Sequence, residues 1–243
     1  MAKKAKSDTT KLKNVEKNGI PILNFDEKLI QLLENFVGIN PSIEFVEGDS
    51  IDTISIGETM YARSNINCHI PKNFVVNDLA KFLNVLSLFE NHQIELGEHQ
   101  IIIHNADHSQ SFKLAYGKAD LIKTPNRDEE IKLPSIDVSF AITKDQLTKL
   151  NKACSILGVT DLKITSKKTD KIILTGLNNR DSSSDNFTLE VPGISKQGSN
   201  VDCSIKLDDL KILSDEYNID ISNEGIAWFR GQQGQEYYIG VEA

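Results

Sequence analysis

Apolar residues recur every third or fourth position in two stretches 118 residues apart: Leu29, Ile30, Leu32, Leu33 and Phe36, then Leu147, Leu150, Cys154 and Leu157. That spacing gathers them on one face of a helix. Each stretch precedes two β-branched runs with turn residues between them, which predict strands. These are Ile43-Glu44-Phe45-Val46 then Ile54-Ser55-Ile56-Gly57, and Leu162-Lys163-Ile164-Thr165 then Ile172-Ile173-Leu174-Thr175, at a displacement of 119 and then 118. A second helix is predicted in each half, from Asn77-Asp78 to Leu83 and from Asp208-Asp209 to Leu213, with Asn or Asp placed to cap its first N–H groups. The displacement there is 131, and the added length fits a polar loop over residues 178–186. Strand patterns at 94–96, 101–103 and 112–116 recur 125 residues later at 219–221, 226–228 and 237–241.

The order helix, strands, helix, strands therefore occurs twice, and a duplication governs the architecture. Strands outnumber helices and follow one another through short turns, which predicts antiparallel sheets with a helix pair laid on one face of each copy, an α+β class. The domain reading is a basic extension over 1–19, a first copy over 20–118, a connector over 119–134 and a second copy over 135–243. The connector carries Pro125, Pro134 and the run Arg127-Asp128-Glu129-Glu130.

Net charge is −8, but residues 1–17 hold six lysines against Asp8 and Glu16, a balance of +4, so the remainder carries −12. Such an acidic body excludes holding nucleic acid by bulk charge, because phosphate neutralisation leaves a basic footprint. No apolar run reaches the ~18 residues of a membrane helix, and three cysteines cannot all pair within one chain. A reducing interior such as cytoplasm is expected.

Asn35-Phe36-Val37-Gly38-Ile39-Asn40, Tyr61-Ala62-Arg63-Ser64-Asn65-Ile66, Asp78-Leu79-Ala80-Lys81-Phe82-Leu83-Asn84-Val85-Leu86-Ser87-Leu88 and Glu236-Tyr237-Tyr238-Ile239-Gly240-Val241-Glu242-Ala243 resemble the DNA polymerase sliding clamps of T-even-type bacteriophages, in order across residues 23–243. The two-copy organisation is more distantly similar to proliferating cell nuclear antigen. The resemblance implies the DNA-clamp fold closing into a homotrimeric ring of six pseudo-equivalent domains, sheets outside and helices around a central hole that encircles duplex DNA. It further implies an ATP-driven clamp loader, a replicative polymerase docking by a C-terminal peptide, late-transcription factors as partners, and the cytoplasm of an infected bacterial host. Residues 1–19 and the 178–186 loop depart from the phage pattern.

A ring that slides needs weak, sequence-indifferent attraction to phosphate. With Lys144 at 0° and ~100° per residue, Lys152 falls near 80° and Lys149 near 140°, opposite the apolar stripe at about 220° to 300°. The other helices offer Lys28, Lys81 and Lys211 among acidic neighbours, so the expected basic lining is partial. For ring closure through strand edges, the topology that the resemblance implies nominates residues 110–116 and 186–191. By resemblance, the partner-peptide pocket falls at Ile56, Met60, Leu121, Ile122, Tyr238 and Val241.

Other chemistry has little support. His104 and His108 fall on a strand and turn, where four-residue spacing is not expected to place two imidazoles on one face. Gly231-Gln232-Gln233-Gly234 lacks the lysine and hydroxyl of a phosphate loop. Neither catalysis, metal nor cofactor is expected. A β-rich viral assembly protein using the same strand edges is the alternative, and a hydrolase built on the histidines the more remote one.

Overall fold

The computed structural model describes residues 15–17, 20–166, 170–181, 183–195 and 201–242; the lysines at 3, 4, 6, 11 and 13 lie outside this set. The first copy runs β1 (Val15–Lys17), β2 (Ile20–Leu23), α1 (Glu27–Ile39), β3 (Ile43–Phe45), β4 (Gly48–Ile54), β5 (Met60–Ile70), β6 (Phe74–Val76), α2 (Leu79–Leu86), β7 (Gln93–Leu96), β8 (Gln100–His104) and β9 (Ser111–Ala115). The second runs β10 (Val138–Ile142), α3 (Lys144–Leu157), β11 (Asp161–Ser166), β12 (Lys171–Leu177), β13 (Phe187–Ser195), β14 (Asp202–Lys206), β15 (Tyr217–Ser222), β16 (Ile226–Gly231) and β17 (Gln235–Gly240).

Setting β1 aside, the copies correspond strand for strand. The block β2-β7-β8-β9 matches β10-β15-β16-β17, and β3, β4, β5 and β6 match β11 to β14. The copies join in one ten-stranded sheet, ordered β14-β11-β12-β13-β10-β15-β16-β17-β5-β4. The seam is the antiparallel pair β17–β5, with Glu236 opposite Arg63 and Tyr238 opposite Tyr61. At the other extremes, β9 ends its five-stranded sheet, and residues 187–192 of β13 pair with β12 alone. Beyond them Gly193 crosses onto β10, where a Cβ would lie 2.4 Å from Ile172 Cγ1 and 2.8 Å from Phe140 Cβ, so only a glycine fits the close approach.

The helices form because their ends are capped. Asp26 Oδ1 accepts from Leu29 N at 2.8 Å, and α3 opens on a reciprocal Thr143–Gln146 box and closes at Gly158 with φ 64°. One core takes Leu29, Leu32, Leu33 and Phe36 from α1, Leu79, Phe82 and Leu83 from α2, and Leu147, Leu150 and Cys154 from α3. Removing each such aliphatic side chain from water contributes about 1.5–3 kcal/mol.

Three expectations change. The run Ile54-Ser55-Ile56-Gly57 is not a strand: β4 starts at Gly48 and ends at Ile54, and Gly57 lies in the turn to β5. Leu157 is partly exposed and leaves the buried stripe of α3. The helix expected over 208–213 is only a 3-10 turn at Leu207–Asp209. Leu210 and Ile212 are buried at a spacing of two, and side chains satisfy the backbone that a helix would pair internally. Asn35 Nδ2 donates to Lys211 O, the Tyr237 hydroxyl accepts from Leu213 N, and the Tyr217 hydroxyl donates to Leu213 O.

Candidate DNA-facing layer and partner-facing edge

The helices share one layer. Helix α2 packs on α1, and the 207–214 segment lies along α1 through Asn35 Nδ2 to Lys211 O at 3.0 Å. The Tyr237 hydroxyl donates to Asn35 Oδ1 at 2.8 Å from the sheet beneath. Helix α3 continues the layer, with Thr148 Oγ1 3.2 Å from Ser214 Oγ. All six nominated lysines stand exposed on these elements: Lys28 on α1, Lys81 on α2, Lys144, Lys149 and Lys152 on α3, and Lys211 on the extended segment rather than on a helix. None forms an ion pair with a described residue. Exposed carboxylates of Glu27, Glu34, Asp78, Asp145 and Asp208 lie among them, so the layer is close to neutral.

The other face carries the connector. Asn40, which caps the far end of α1, donates from Nδ2 to Ile54 O at 2.9 Å and to Lys123 O at 3.0 Å. Lys123 pairs with Glu58 in the β4–β5 turn, and Gly240 N donates to Thr59 O at 2.9 Å. That turn is therefore where the connector and the C-terminal tail meet. Around it, Ile56 and Leu121 are 63% and 72% exposed and Ile122 and Val241 half-buried. Met60 and Tyr238 are placed differently. Side chains alternate along β5, so Met60 points into the core at 1% exposure while Tyr61 and Arg63 point out. Tyr238 does face outward from β17, but at 4% exposure it lies stacked on Trp228 at 5.6 Å and beneath the Arg63 guanidinium at 5.6 Å.

Under the connector is a cavity of about 610 Å³ whose lining is polar: Asp52, Tyr61, Arg63, Arg127, Glu130 and Glu236 among others. Arg127 forks onto Asp52 at 2.7 Å and Glu44 at 2.6 Å, fastening the strap to β4 and β3. Arg63 meets Glu236 at 2.9 Å across the seam between the copies. Burial, and then the Asp52 charge, push the Tyr61 hydroxyl up to about 12, and burial does the same for Tyr238, so both remain neutral donors. Arg127 looked like one charge in a solvated run. Its carboxylate partners are 75 and 83 residues away, and no local pattern announces them.

The histidines also differ from expectation. The 105–110 turn, with His108 at φ 57°, folds back and sets the His104 and His108 rings 4.6 Å apart, with Glu95 Oε2 3.4 Å from His104 Nε2. Among the described residues no group of three His, Cys, Asp or Glu side chains is arranged to hold a metal. Cys68, Cys154 and Cys203 are buried free thiols, and no described helix is long and apolar enough to cross a membrane.

No family model matches the chain. A sliding clamp of Vibrio phage KVP40 is 26% identical over 225 residues, which are 91% of this chain and all of that protein. The sliding clamp of Enterobacteria phage T4 is 27% identical over 87% of this chain and 90% of its own length, and that of Escherichia phage RB69 is 29% identical over 64% and 67%. Among solved structures, the proliferating cell nuclear antigen of Entamoeba histolytica superposes with a TM-score of 0.68 at 13% identity, covering 91% of this chain and 98% of that one. The A. fulgidus antigen, solved with the C-terminal region of FEN-1 bound, gives 0.67 at 14% identity over 92% and 98%. The structural likeness bears out the DNA-clamp fold, and the phage relatives bear out the resemblance drawn from sequence.

Proposed function

We infer that the chain is a sliding clamp, a DNA polymerase processivity factor, and from that premise its edges and faces acquire roles. The observation that carries the reading is the repeated layout itself, combined with similarity along the whole length of phage sliding clamps. The assembly-protein alternative has no comparable support.

The seam supports a head-to-tail assembly, which the phage-clamp reading makes a homotrimer. Within one chain the copies are joined by β17 against β5. Their equivalents, β9 in the first copy and residues 187–192 of β13 in the second, each present an open edge among the described strands. Pairing β9 of one protomer with residues 187–192 of the next repeats the internal join, and a head-to-tail contact of this kind closes when its rotation permits. Three protomers then give six equivalent domains. Exposed apolar side chains accompany both edges: Leu88 and Phe112 beside β9, Ile156 and Leu157 at the end of α3 over β13.

Duplex DNA passes along the helical layer and is held by enclosure. Lys28, Lys81, Lys144, Lys149, Lys152 and Lys211 supply screened, sequence-indifferent attraction to phosphates. Their near balance with carboxylates suits sliding, because strong contacts would arrest it. A polymerase C-terminal peptide docks at the outer edge, its apolar anchors against Ile56, Leu121, Ile122 and Val241; Met60, turned into the core, and Tyr238, covered by Trp228 and Arg63, are not part of that surface. The clamp loader and late-transcription factors use the same edge in the cytoplasm of an infected bacterium. Nothing in this role calls for catalysis. Primer extension by the cognate polymerase on a circular template tests it: long products that depend on the chain and a loader are expected, and product lengths indifferent to the chain would overturn it.

A further inference from the structure

We propose that the seam between protomers carries a charge order opposite to that of the seam inside each chain, Lys113 of one chain against Glu190 of the next, and that this order makes first and second copies alternate around the ring. The proposal rests on the clamp reading and specifies which strand edges join.

Inside the chain the acid is on β17 and the base on β5. Glu236 lies opposite Arg63, 2.9 Å between their charged groups, and the Arg63 guanidinium also donates to the Tyr238 hydroxyl at 3.3 Å, one diagonal step along the seam. The correspondence between the copies carries this geometry to the open edges. Strands β5 and β13 begin at Met60 and Phe187, and their less exposed sides run in step, Met60, Ala62 and Ser64 against Phe187, Leu189 and Val191. Both then leave the seam: Ser64 is the last β5 residue paired with β17, and two residues after Val191 the chain has crossed onto β10 at Gly193. Arg63 thus corresponds to Glu190. Strands β17 and β9 end at Gly240 and Ala115, and the inward pair Phe229–Tyr237 matches Ile103–Phe112. Tyr238 thus corresponds to Lys113.

Joining the open edges in the register of the internal seam sets Phe112 opposite Leu189 of the next chain and Leu114 opposite Phe187, apolar against apolar on the side of the helices. On the outer face Lys113 falls opposite Thr188 and one diagonal step from Glu190, the relation that Tyr238 has to Arg63. Both charged side chains are exposed, and Glu190 also meets Lys171 of its own chain at 3.0 Å. The base is then on the β9 edge and the acid on the β13 edge, the reverse of β17 and β5. Each wrong join brings like charges together: β17 on β13 sets Glu236 against Glu190, and β9 on β5 sets Lys113 beside Arg63. Like charges across a strand pair destabilise it, and charge on an edge is a means of refusing the wrong neighbour.

The test is a double-mutant cycle in the full chain, comprising the parent, Lys113→Glu, Glu190→Lys and the two together, with the assembly constant read from sedimentation across a concentration series. An exposed ion pair contributes a factor of about 2 to 5 to an equilibrium constant, and a ring has three seams, so each single reversal should lower the assembly constant about 10- to 100-fold. The double variant should regain most of that loss. The Lys171 contact is lost in Glu190→Lys and in the double variant alike, so it cancels from the coupling. Single variants that assemble like the parent, or a double variant as weak as the two losses combined, overturn the charge order. A parent that stays monomeric at every concentration removes the homotrimer of the clamp reading instead, so the two failures are distinguishable.

Discussion

Replacing Asn40 by alanine should loosen the connector and weaken the first copy together. Asn40 is 1% exposed and makes four hydrogen bonds: Nδ2 to Ile54 O and Lys123 O, and Oδ1 from Ser42 N and Ser42 Oγ, all at 2.9–3.0 Å. Truncation leaves the Ile54 carbonyl and the Ser42 amide without these partners in a water-poor site, at about 1–3 kcal/mol each. Lys123 O lies on the half-exposed connector, where water replaces the lost donor at small cost. The expected loss is therefore about 2–6 kcal/mol, read as a lower urea midpoint at unchanged m-value, with faster amide exchange through residues 121–131. Ser42→Ala removes one hydroxyl and should cost under about 1 kcal/mol. A loss below about 0.5 kcal/mol for Asn40→Ala, with connector amides as protected as before, would refute the claim that this cap ties the helical layer to the strap.

Further outcomes are expected elsewhere. Replacing Lys144, Lys149 and Lys152 by glutamate should cut polymerase stimulation while shifting the urea midpoint by no more than about 0.5 kcal/mol, since all three are exposed; unaltered stimulation would remove α3 from the DNA side. Under the proposed homotrimer, Phe112→Asp, at a 39%-exposed position on β9, should sediment as a 27.1 kDa monomer without unfolding where the parent sediments as three chains. Gly193→Ala should destabilise by about 1–3 kcal/mol, because its Cβ collides with Ile172 and Phe140. Burial holds the His92 imidazole below its ordinary 6.5. The unfolded chain then binds the extra proton first, so stability should fall as pH drops below 6.5, and His92→Gln should flatten the urea midpoint between pH 7 and 5.

Much of this fold is legible in the chain because α1 and α3 combine an apolar stripe with side-chain caps, two signals that agree locally. The 207–214 segment carried the caps and apolar residues of a helix too. Beyond the 3-10 turn at Leu207–Asp209 it is irregular, its backbone satisfied by Tyr217 four residues on, by Tyr237 and, from 176 residues away, by Asn35. Met60 was nominated for a surface pocket by resemblance, as part of the loop before β5, but it is the first residue of β5, and the pairing with β17 fixes the strand phase that turns it inward. Tyr61 and Arg63 are what that phase turns outward. The lysines could be placed on a helix face from spacing alone. That acidic neighbours such as Glu34 and Asp208 dilute the lysines was legible too; the structure adds that all of these groups are exposed.

Enclosure is the central claim, and dwell time on DNA of different topology measures it. With rings loaded on a covalently closed circle and on the same DNA cut once, the account predicts long residence on the circle, rapid loss from the cut molecule, and recovery when its ends are blocked by bound protein. Equal residence on all three substrates would contradict it.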